Sequence, residues 1–237
     1  MIKTTLLDWD TDVLGFRVAK IEAPTIDHAA LKKTIALLMK DNVDCVYFSA
    51  KNDDLVAQEA AVACGGVLVD WKTTYQVFLQ DVSFVPSPEV IEYTDEQVTP
   101  DLVALAFEIG ENSRFYRDQR MPADAYQKIY CRWMENAVNR SVADSVKVIQ
   151  RGSSSIAVVT LVDKGDYGNI SLIAVDPQYR GQGLAGKLVD AAFVWCKEKN
   201  FSRCEVVTQK TNQAACALYE HKGFTLKSVE CFYHIWL

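Results

Sequence analysis

Stretches of helical and of extended spacing alternate along the whole chain. Apolar residues that recur every three or four positions predict helices over residues 27–40, 52–65, 100–107, 122–139, 184–197 and 213–220. Short apolar or alternating runs predict strands over residues 45–49, 67–70, 73–79, 91–93, 146–149, 156–162, 169–175, 204–208 and 230–236. The aromatic and charged stretch 113–118 is predicted to be a loop. This succession of helices and strands indicates a mixed α/β (α+β) protein.

A proline-containing stretch divides the pattern in two. Residues 81–89 carry Pro86 and Pro88 and lack regular spacing, so they are the best candidate for a linker. The boundary predicts a smaller N-terminal α/β domain over residues 1–85 and a second domain over residues 86–237.

A faint internal repeat links the two predicted domains. Cys45 and Asn52 precede a helix, a glycine and a strand, and Cys204 and Asn212 precede the same succession. The spacings differ by one to three residues, and the hypothesis is a degenerate duplication. The first copy lacks the glycine-rich loop and the tyrosine of the second, and we therefore expect it not to bind the same ligand.

Composition and charge exclude several classes of protein. The 237 residues are 49% apolar and 24% charged, and the net charge is −6. An acidic balance argues against a nucleic-acid partner held by a basic face. No apolar run approaches the ~20 residues that span a bilayer, and the N-terminus lacks the apolar core of a signal peptide. We expect a cytoplasmic protein with no membrane partner.

Cysteine and histidine usage gives no sign of a metal or a disulfide framework. The seven cysteines are odd in number and no two have CxxC spacing, while the three histidines do not cluster in the sequence. Thiols in a reducing compartment are the expected state, and no metal is predicted.

A glycine-rich loop joins the strand at 169–175 to the helix at 184–197. Gly181 and Gly183 allow the backbone to turn tightly and to approach a ligand closely. Exposed amides at the start of the helix form an anion site, and the Arg180 guanidinium can add a contact to phosphate. The stretch therefore predicts a seat for phosphate or pyrophosphate.

The loop alone is also compatible with two different roles. A structural glycine turn before a helix is one of them. A dinucleotide site is the second, because Gly181, Gly183 and Gly186 satisfy the G-x-G-x-x-G spacing and Glu205 loosely fits the position of the required acid. Strands that look antiparallel precede the loop, and this context argues against the dinucleotide site.

A second segment narrows the choice. Arg180-x-x-Gly183-x-Ala185, followed by Asn212-x-x-Ala215-x-x-Leu-Tyr219-x-x-x-Gly-Phe224, resembles the GNAT superfamily of acetyl-CoA-dependent N-acetyltransferases. The resemblance covers about residues 171–224. It implies the GNAT fold, a mixed central sheet flanked by helices, with acetyl-CoA as cosubstrate.

The resemblance also implies roles for individual residues. Amides of the loop would bind the coenzyme A pyrophosphate, the strand residues 173–175 would pair with the pantetheine arm, and the Ala174 amide would polarise the thioester carbonyl. Tyr219 would protonate the departing thiolate, since the ordinary tyrosine pKa of about 10 is close to that of an alkyl thiol. Packing beside Phe224 is the alternative role for Tyr219. The implied cofactor-binding residues are Ile173, Ala174, Val175, Arg180, Gly181, Gln182, Gly183, Leu184, Ala185, Asn212 and Tyr219.

Three further segments are similar to the dTDP-fucosamine N-acetyltransferases, which acetylate a nucleotide-linked 4-amino-4,6-dideoxy sugar. They are residues 8–17, 113–118 and 130–137, and Thr208-Gln209 followed by Asn212 adds to the match. The similarity implies a nucleotide-sugar substrate. It places Ser113, Arg114, Phe115, Thr208 and Gln209 in the acceptor pocket.

The same similarity suggests a general base, and the sequence departs from the resembling enzymes at one position. Asp70, expected at the end of a strand, would take the proton of the attacking amine; the alternative is a solvated carboxylate in a turn. Leu218 stands just before Tyr219, where the resembling sugar acetyltransferases can carry a basic side chain. A cofactor contact made by that side chain would be absent here.

Two other functions are compatible with the sequence, and so are two arrangements of the C-terminal strand. Another GNAT enzyme would acetylate a protein N-terminus, a polyamine or an antibiotic amine. A non-catalytic acyl-CoA-binding protein is the alternative from a different class, and the tyrosine at 219 argues weakly against it. The C-terminal strand 232–237 is expected either to close its own sheet or to pair across a homodimer.

Overall fold

The computed structural model describes residues 2–237. No helix among these residues is long and apolar enough to cross a membrane. A 3-10 turn spans Pro177–Tyr179. The strands and helices, in chain order, are β1 (Lys3–Leu6), α1 (Asp8–Leu14), β2 (Val18–Glu22), α2 (His28–Lys40), β3 (Cys45–Lys51), α3 (Leu55–Ala63), β4 (Val67–Phe78), β5 (Val90–Glu92), α4 (Pro100–Gly110), α5 (Arg114–Arg117), α6 (Ala125–Val138), β6 (Ser145–Arg151), β7 (Ser154–Asp163), β8 (Gly168–Val175), α7 (Leu184–Glu198), β9 (Arg203–Gln209), α8 (Gln213–His221) and β10 (Thr225–Trp236).

The predicted mixed α/β class is confirmed, and the elements differ from the prediction in three places. The N-terminal elements β1, α1 and β2 were not predicted. β4 is one continuous strand rather than two, because Trp71 and Lys72 are not turn residues and nothing breaks the extended backbone between them. The predicted loop after Ser113 contains the short helix α5, whose first turn Ser113 caps with its hydroxyl.

The chain forms two compact units, and neither is a continuous stretch of sequence. The first unit comprises the described residues up to Lys72 together with Ser113–Ile129 and Ser228–Leu237. The second unit comprises Thr73–Asn112 and Tyr130–Lys227. The predicted linker 81–89 contains no helix or strand, and Phe84 within it packs on Phe193 of the second unit. The division into domains 1–85 and 86–237 stays a prediction.

The first unit is built on a sheet in the order β1-β2-β3-β10, followed by the first half of β4. β2 and β3 are parallel, whereas β10 runs antiparallel to β3 and pairs His234 with Tyr47. The C-terminal strand therefore pairs within its own chain. One face of this sheet is apolar and packs against α2 and α3 through residues such as Phe48, Tyr233 and Ile235.

The second unit is built on the second half of β4 followed by β9-β8-β7-β6-β5. The pairs β5–β6, β6–β7 and β7–β8 are antiparallel, whereas β8 and β9 are parallel. The helix α7 packs its apolar side on this sheet through buried residues that include Leu188, Phe193 and Trp195. This packing fixes the start of α7 at the end of β8.

The predicted repeat appears as two successions of equal length. β3, α3 and β4 have 7, 9 and 12 residues, and β9, α8 and β10 also have 7, 9 and 12. The equivalent of Asn212 is Asp54 and not Asn52, because Asp54 and Asn212 are the residues whose side chains cap α3 and α8. A duplication stays a prediction that these lengths support.

Candidate functional site

The loop between β8 and α7 turns on two glycines in the left-handed region. Gly181 has φ +77° and Gly183 has φ +74°, a conformation in which most side chains are strained. Gly183 is the N-cap of α7 and offers no side chain to the first turn. The first-turn amides of α7 have no acceptor within the helix, so this terminus is suited to an anion.

A cavity of about 390 Å³ opens at this terminus. A volume of several hundred Å³ is typical of small-molecule sites. Of the predicted cofactor residues, six line it, while Ile173, Ala174, Gln182, Asn212 and Tyr219 do not. The lining residues are Val175, Tyr179, Arg180, Gly181, Gly183, Leu184, Ala185, Gly186, Lys187, Asp190, Leu218, His221 and Lys222.

Three cations of the cavity wall are each paired with a carboxylate. The Arg180 Nη2 atom lies 2.7 Å from Glu108 Oε2, and its Nε donates to the Val175 carbonyl. Lys187 pairs with Glu89 at 2.9 Å. Lys222 lies 2.8 Å from both oxygens of Asp190. A phosphate bound here would therefore exchange an existing ion pair for a new one.

Sequence analysis did not identify Lys187, His221 or Lys222. A signal for Lys222 was present, because it lies four residues after Leu218 and so falls on the same side of α8. Its side chain lies over Gly186, where an added Cβ would be 3.2 Å from Lys222 Cε. Position 218 carries leucine instead of a basic residue, and a basic residue, Lys222, lies about one helical turn later.

The strand β8 has a free edge beside the cavity. Its parallel ladder with β9 ends at Ile170 opposite Val206. The register with β7 also shifts there, since Ile170 and Leu172 face consecutive residues of β7 and leave Ser171 as an extra residue. β-Bulges of this kind are common next to active sites, where they redirect a strand.

The register of β8 settles the direction of its amides. The Leu172 amide donates to Thr160 Oγ1 and the Asp176 amide donates to the Ile156 carbonyl, both on the β7 side. Because amide direction alternates along a strand, the Ala174 amide also points to β7. The amides of Ile173 and Val175 point to the free edge. This geometry disfavours Ala174 as the oxyanion donor and favours its two neighbours.

Tyr219 is a core residue of the second unit. Its side chain is 2% exposed, and its ring lies 5.6 Å from that of Phe224 and 6.0 Å from that of Tyr75. Burial, together with the nearby thiols of Cys216 and Cys204, raises the pKa of the Tyr219 hydroxyl above its ordinary value. Tyr219 therefore packs beside Phe224, and its hydroxyl is protonated across the physiological pH range.

The remaining predicted residues of the second unit lie at the end of β9 and the start of α8. Asn212 Oδ1 accepts the Ala215 amide at 3.1 Å, which gives this side chain a capping role. Thr208 is buried and Gln209 is half-buried. The Gln209 carbonyl accepts the Asn212 amide at 2.9 Å.

The other predicted acceptor residues lie in the first unit. Ser113 is buried at the start of α5. The Arg114 guanidinium lies over the rings of Phe115 at 4.2 Å and Phe232 at 4.6 Å. An arginine stacked in this way is held by its faces and keeps its hydrogen-bond donors available at its edge.

Asp70 lies inside β4 rather than at a strand end, and it is not a solvated turn residue. Its side chain is 5% exposed, and its Oδ1 atom is buried without a hydrogen-bond partner. Burial raises the pKa of Asp70 to about 6, against the opposing effect of Arg114 and Arg117. A carboxylate with such a pKa is suited to accept a proton near neutral pH.

A histidine that sequence analysis did not identify lies in the same unit. His234 Nδ1 is 2.8 Å from Asp118 Oδ2, and the His234 ring stacks on Tyr47 at 4.7 Å. Nothing in the local sequence indicated this pair, because 116 residues separate its members.

Comparisons with known proteins agree with this geometry. Residues 111–224, which include the glycine loop and α8, match the family described as Acetyltransferase (GNAT) family. The spore coat polysaccharide biosynthesis protein SpsD of Bacillus subtilis is 27% identical over 138 residues, which cover 58% of this chain and 47% of that protein. The mycothiol acetyltransferase of Beutenbergia cavernae is 38% identical over 68 residues, covering 29% of this chain and 23% of that protein. The chain thus spans less than half the length of these curated relatives.

Solved structures show the same fold over nearly the whole chain. A GCN5-related N-acetyltransferase from Sphaerobacter thermophilus covers 98% of this chain and 76% of its own, with a TM-score of 0.65 and 12% identity. A tandem GNAT protein from the clavulanic acid biosynthesis pathway covers 92% of this chain and 74% of its own, with a TM-score of 0.58 and 16% identity. Residues 111–224 thus match the GNAT acetyltransferase family, and the solved structures share the fold of nearly the whole chain.

Proposed function

We propose that this protein transfers an acetyl group from acetyl-CoA to the amine of a nucleotide-linked amino-dideoxy sugar. The observation that carries the proposal is the cavity at the start of α7, with its free helix N-terminus and glycine turn. Support for the sugar comes from the relative in Bacillus subtilis, whose name assigns it to polysaccharide biosynthesis. The other curated relatives match only short segments, so their names do not favour a different amine.

The cofactor is proposed to lie along the loop and the edge of β8. The loop meets the requirements of a pyrophosphate, because the first-turn amides of α7 are free and Arg180 and Lys222 supply positive charge at the cavity wall. The free edge of β8 offers the backbone groups of Ile173 and Val175 to an extended amide-containing chain. Acetyl-CoA bound there would supply the activated acetyl thioester. The amide of Ile173 or Val175 would stabilise negative charge on the thioester oxygen.

Tyr219 is proposed as the acid that protonates the thiolate leaving group. Its raised pKa keeps the hydroxyl protonated. Burial raises the pKa of a thiol by the same physical cause, so the two groups stay matched when both are in an apolar environment. The proton transfer is therefore not made steeply unfavourable by the burial of Tyr219.

Asp70 is proposed as the base for the acceptor amine. An amine attacks only in its neutral form, and a carboxylate with a pKa of about 6 is largely ionised at neutral pH. Arg114, Phe115 and Ser113 are proposed to bind the acceptor. Thr208 and Gln209 stay predicted acceptor residues of the second unit. Arg114 would bind nucleotide phosphate through the free edge of its guanidinium.

The test is release of free thiol from acetyl-CoA in the presence of dTDP-4-amino-4,6-dideoxygalactose. We expect release that depends on both substrates, with the acetylated sugar nucleotide as the second product. Putrescine and a peptide with a free N-terminus serve as competing acceptors under the same conditions. Turnover of one of these, and of no amino-sugar nucleotide, would refute the choice of acceptor while leaving the acetyltransferase assignment intact.

A further inference from the structure

The sheet of the first unit has two faces of different chemistry. Strand alternation places Val46 and Phe48 of β3 on the apolar face that packs against α2 and α3. Tyr47 points to the opposite face, and so does His234, which pairs with it across β3 and β10. The Arg114 guanidinium lies 4.9 Å from the centre of the Tyr47 ring, so α5 covers this second face.

Asp70 lies on the same face. The side chains of Asp70 and Lys72 point to one side of β4, because they are two residues apart. Lys72 Nζ is 3.0 Å from Glu230 Oε2, and Glu230 is four residues before His234 on the neighbouring strand β10. The alternation of both strands therefore brings Asp70 to the face of His234 and Tyr47.

This face holds a concentration of unsatisfied polar atoms. Four side-chain N or O atoms of this face are buried with no hydrogen-bond partner among the described residues. They are Tyr47 Oη, Asp70 Oδ1, Arg114 Nε and His234 Nε2, and we call the face that carries them the polar face. Each such atom costs free energy in a folded protein, and folded proteins keep few of them unless a ligand or water completes the bonding.

The hydrogen bonds of Asp118 fix which ring nitrogen of His234 carries the proton. Burial opposes ionisation of Asp118, but its hydrogen bonds with His234 Nδ1 at 2.8 Å, Trp236 Nε1 at 2.8 Å and the Arg120 amide at 3.0 Å outweigh this effect and hold the pKa of Asp118 low. Burial lowers the pKa of His234 to about 4, reinforced by Arg114 and Arg120 and opposed by Asp118. The neutral imidazole donates its Nδ1 proton to Asp118, so Nε2 is a free acceptor.

The polar face offers complementary partners to a hydroxylated amine. Asp70 Oδ1 and His234 Nε2 accept hydrogen bonds, whereas Arg114 Nε donates one and the Tyr47 hydroxyl can do either. The rings of Tyr47 and Phe232 border these atoms and suit the apolar side of a sugar ring. Arg114 is only half-buried, which places it at the outer margin of this face.

We propose that the polar face binds the amino-sugar part of the acceptor, with His234 Nε2 accepting a hydrogen bond from a sugar hydroxyl and Asp118 positioning the imidazole. The inference rests on the proposed function and adds to it a sugar-binding residue and its positioning partner. Ordered water is the competing occupant of the polar face.

The test compares substitutions on the two faces of β10. In His234→Phe the ring stays and the acceptor atom is lost, so we expect the KM for dTDP-4-amino-4,6-dideoxygalactose to rise by ~10–100-fold, because the sugar hydroxyl is left without its buried partner. His234→Gln restores an acceptor near the Nε2 position and should recover part of this loss. Tyr233→Phe, on the apolar face, is the matched control and should change neither KM. The KM for acetyl-CoA should stay the same in all three variants.

A KM for the sugar nucleotide within about two-fold of the wild-type value in His234→Phe would overturn the inference and leave the proposed function standing. A second measurement does not depend on activity or on a folded variant. The ¹⁵N resonance of His234 Nε2 in the wild-type protein should shift when the sugar nucleotide is added and should not shift with acetyl-CoA alone. An unchanged resonance at millimolar sugar nucleotide would mean that water alone occupies the polar face. Absence of thiol release despite such a shift would instead refute the proposed function.

Discussion

The starts of α2 in the first unit and α7 in the second unit make an instructive pair. Each helix follows a strand that is parallel to its neighbour, β2 beside β3 and β8 beside β9. The N-cap of α7 is Gly183, which leaves the first-turn amides free. The N-cap of α2 is Asp27, whose carboxylate accepts the Ala30 amide at 2.8 Å. The start of α7 can therefore receive an anion, whereas the start of α2 is already capped by the carboxylate of its own Asp27.

The strands that precede these two helices, β2 and β8, also differ in how much of their length is paired. The β2–β3 ladder continues to Ile21, one residue before β2 ends, whereas the β8–β9 ladder stops at Ile170, five residues before β8 ends. Only β8 of these two strands therefore has a long free edge. The two helix starts therefore differ in both features on which the proposed cofactor site depends, a glycine cap and an open strand edge.

The largest expected effect tests the chemistry assigned to the second unit. Tyr219→Phe should lower kcat by ~10²–10⁴-fold, because the thiolate would leave without an acid. Affinity for coenzyme A, measured by calorimetry, should stay nearly unchanged. Tyr75→Phe is the control for repacking of the same aromatic cluster, since the two rings lie 6.0 Å apart. An unchanged kcat in Tyr219→Phe would exclude the tyrosine as the acid.

Asp70→Asn tests the chemistry assigned to the first unit. Its carboxylate accepts a proton only when ionised, so the wild-type kcat/KM should fall as the pH drops through about 6. The variant should lose ~10²-fold in rate at pH 7.5 and show a flat acidic limb. Coenzyme A affinity should not change. A variant that retains the wild-type acidic limb would show that another group is the base.

A smaller effect is expected from making the start of α7 like that of α2. Gly183→Asp places a carboxylate at the N-cap, where it competes with phosphate for the first-turn amides. Gly183→Asn has the same shape and a similar tolerance of positive φ without the charge. We expect the Asp variant to bind coenzyme A ~10-fold more weakly than the Asn variant, with a gap that narrows in high salt. Equal affinities would contradict the anion role of this terminus.

The smallest effect concerns stability alone. Asp27→Ala removes the cap of α2 and should lower the free energy of unfolding by about 1 kcal/mol, measured by urea denaturation. Turnover and coenzyme A affinity should stay at their wild-type values. A weakened coenzyme A affinity in this variant would break the assignment of cofactor binding to the second unit.

Local sequence signals predicted the parts of the fold and site that local geometry decides. The glycines at 181 and 183 and the helices that begin at residues 184 and 213 lie within short stretches, and their backbone preferences act over a few residues. The elements β1, α1 and β2 were not predicted, although Gly15 marks the end of α1 with φ +79°. β4 was predicted as two strands, which placed Asp70 at a strand end.

The sequence by itself determined the glycine turn before α7, because glycine conformation and helix amides are properties of neighbouring residues. Only the tertiary structure decided which amides of β8 face its free edge, since the register with β7 sets their direction. The tertiary structure also assembled the polar face, because Tyr47, Asp70, Arg114 and His234 come together through strand pairing and burial. Burial then changed their chemistry, raising the pKa of Asp70 and leaving His234 neutral with a free Nε2.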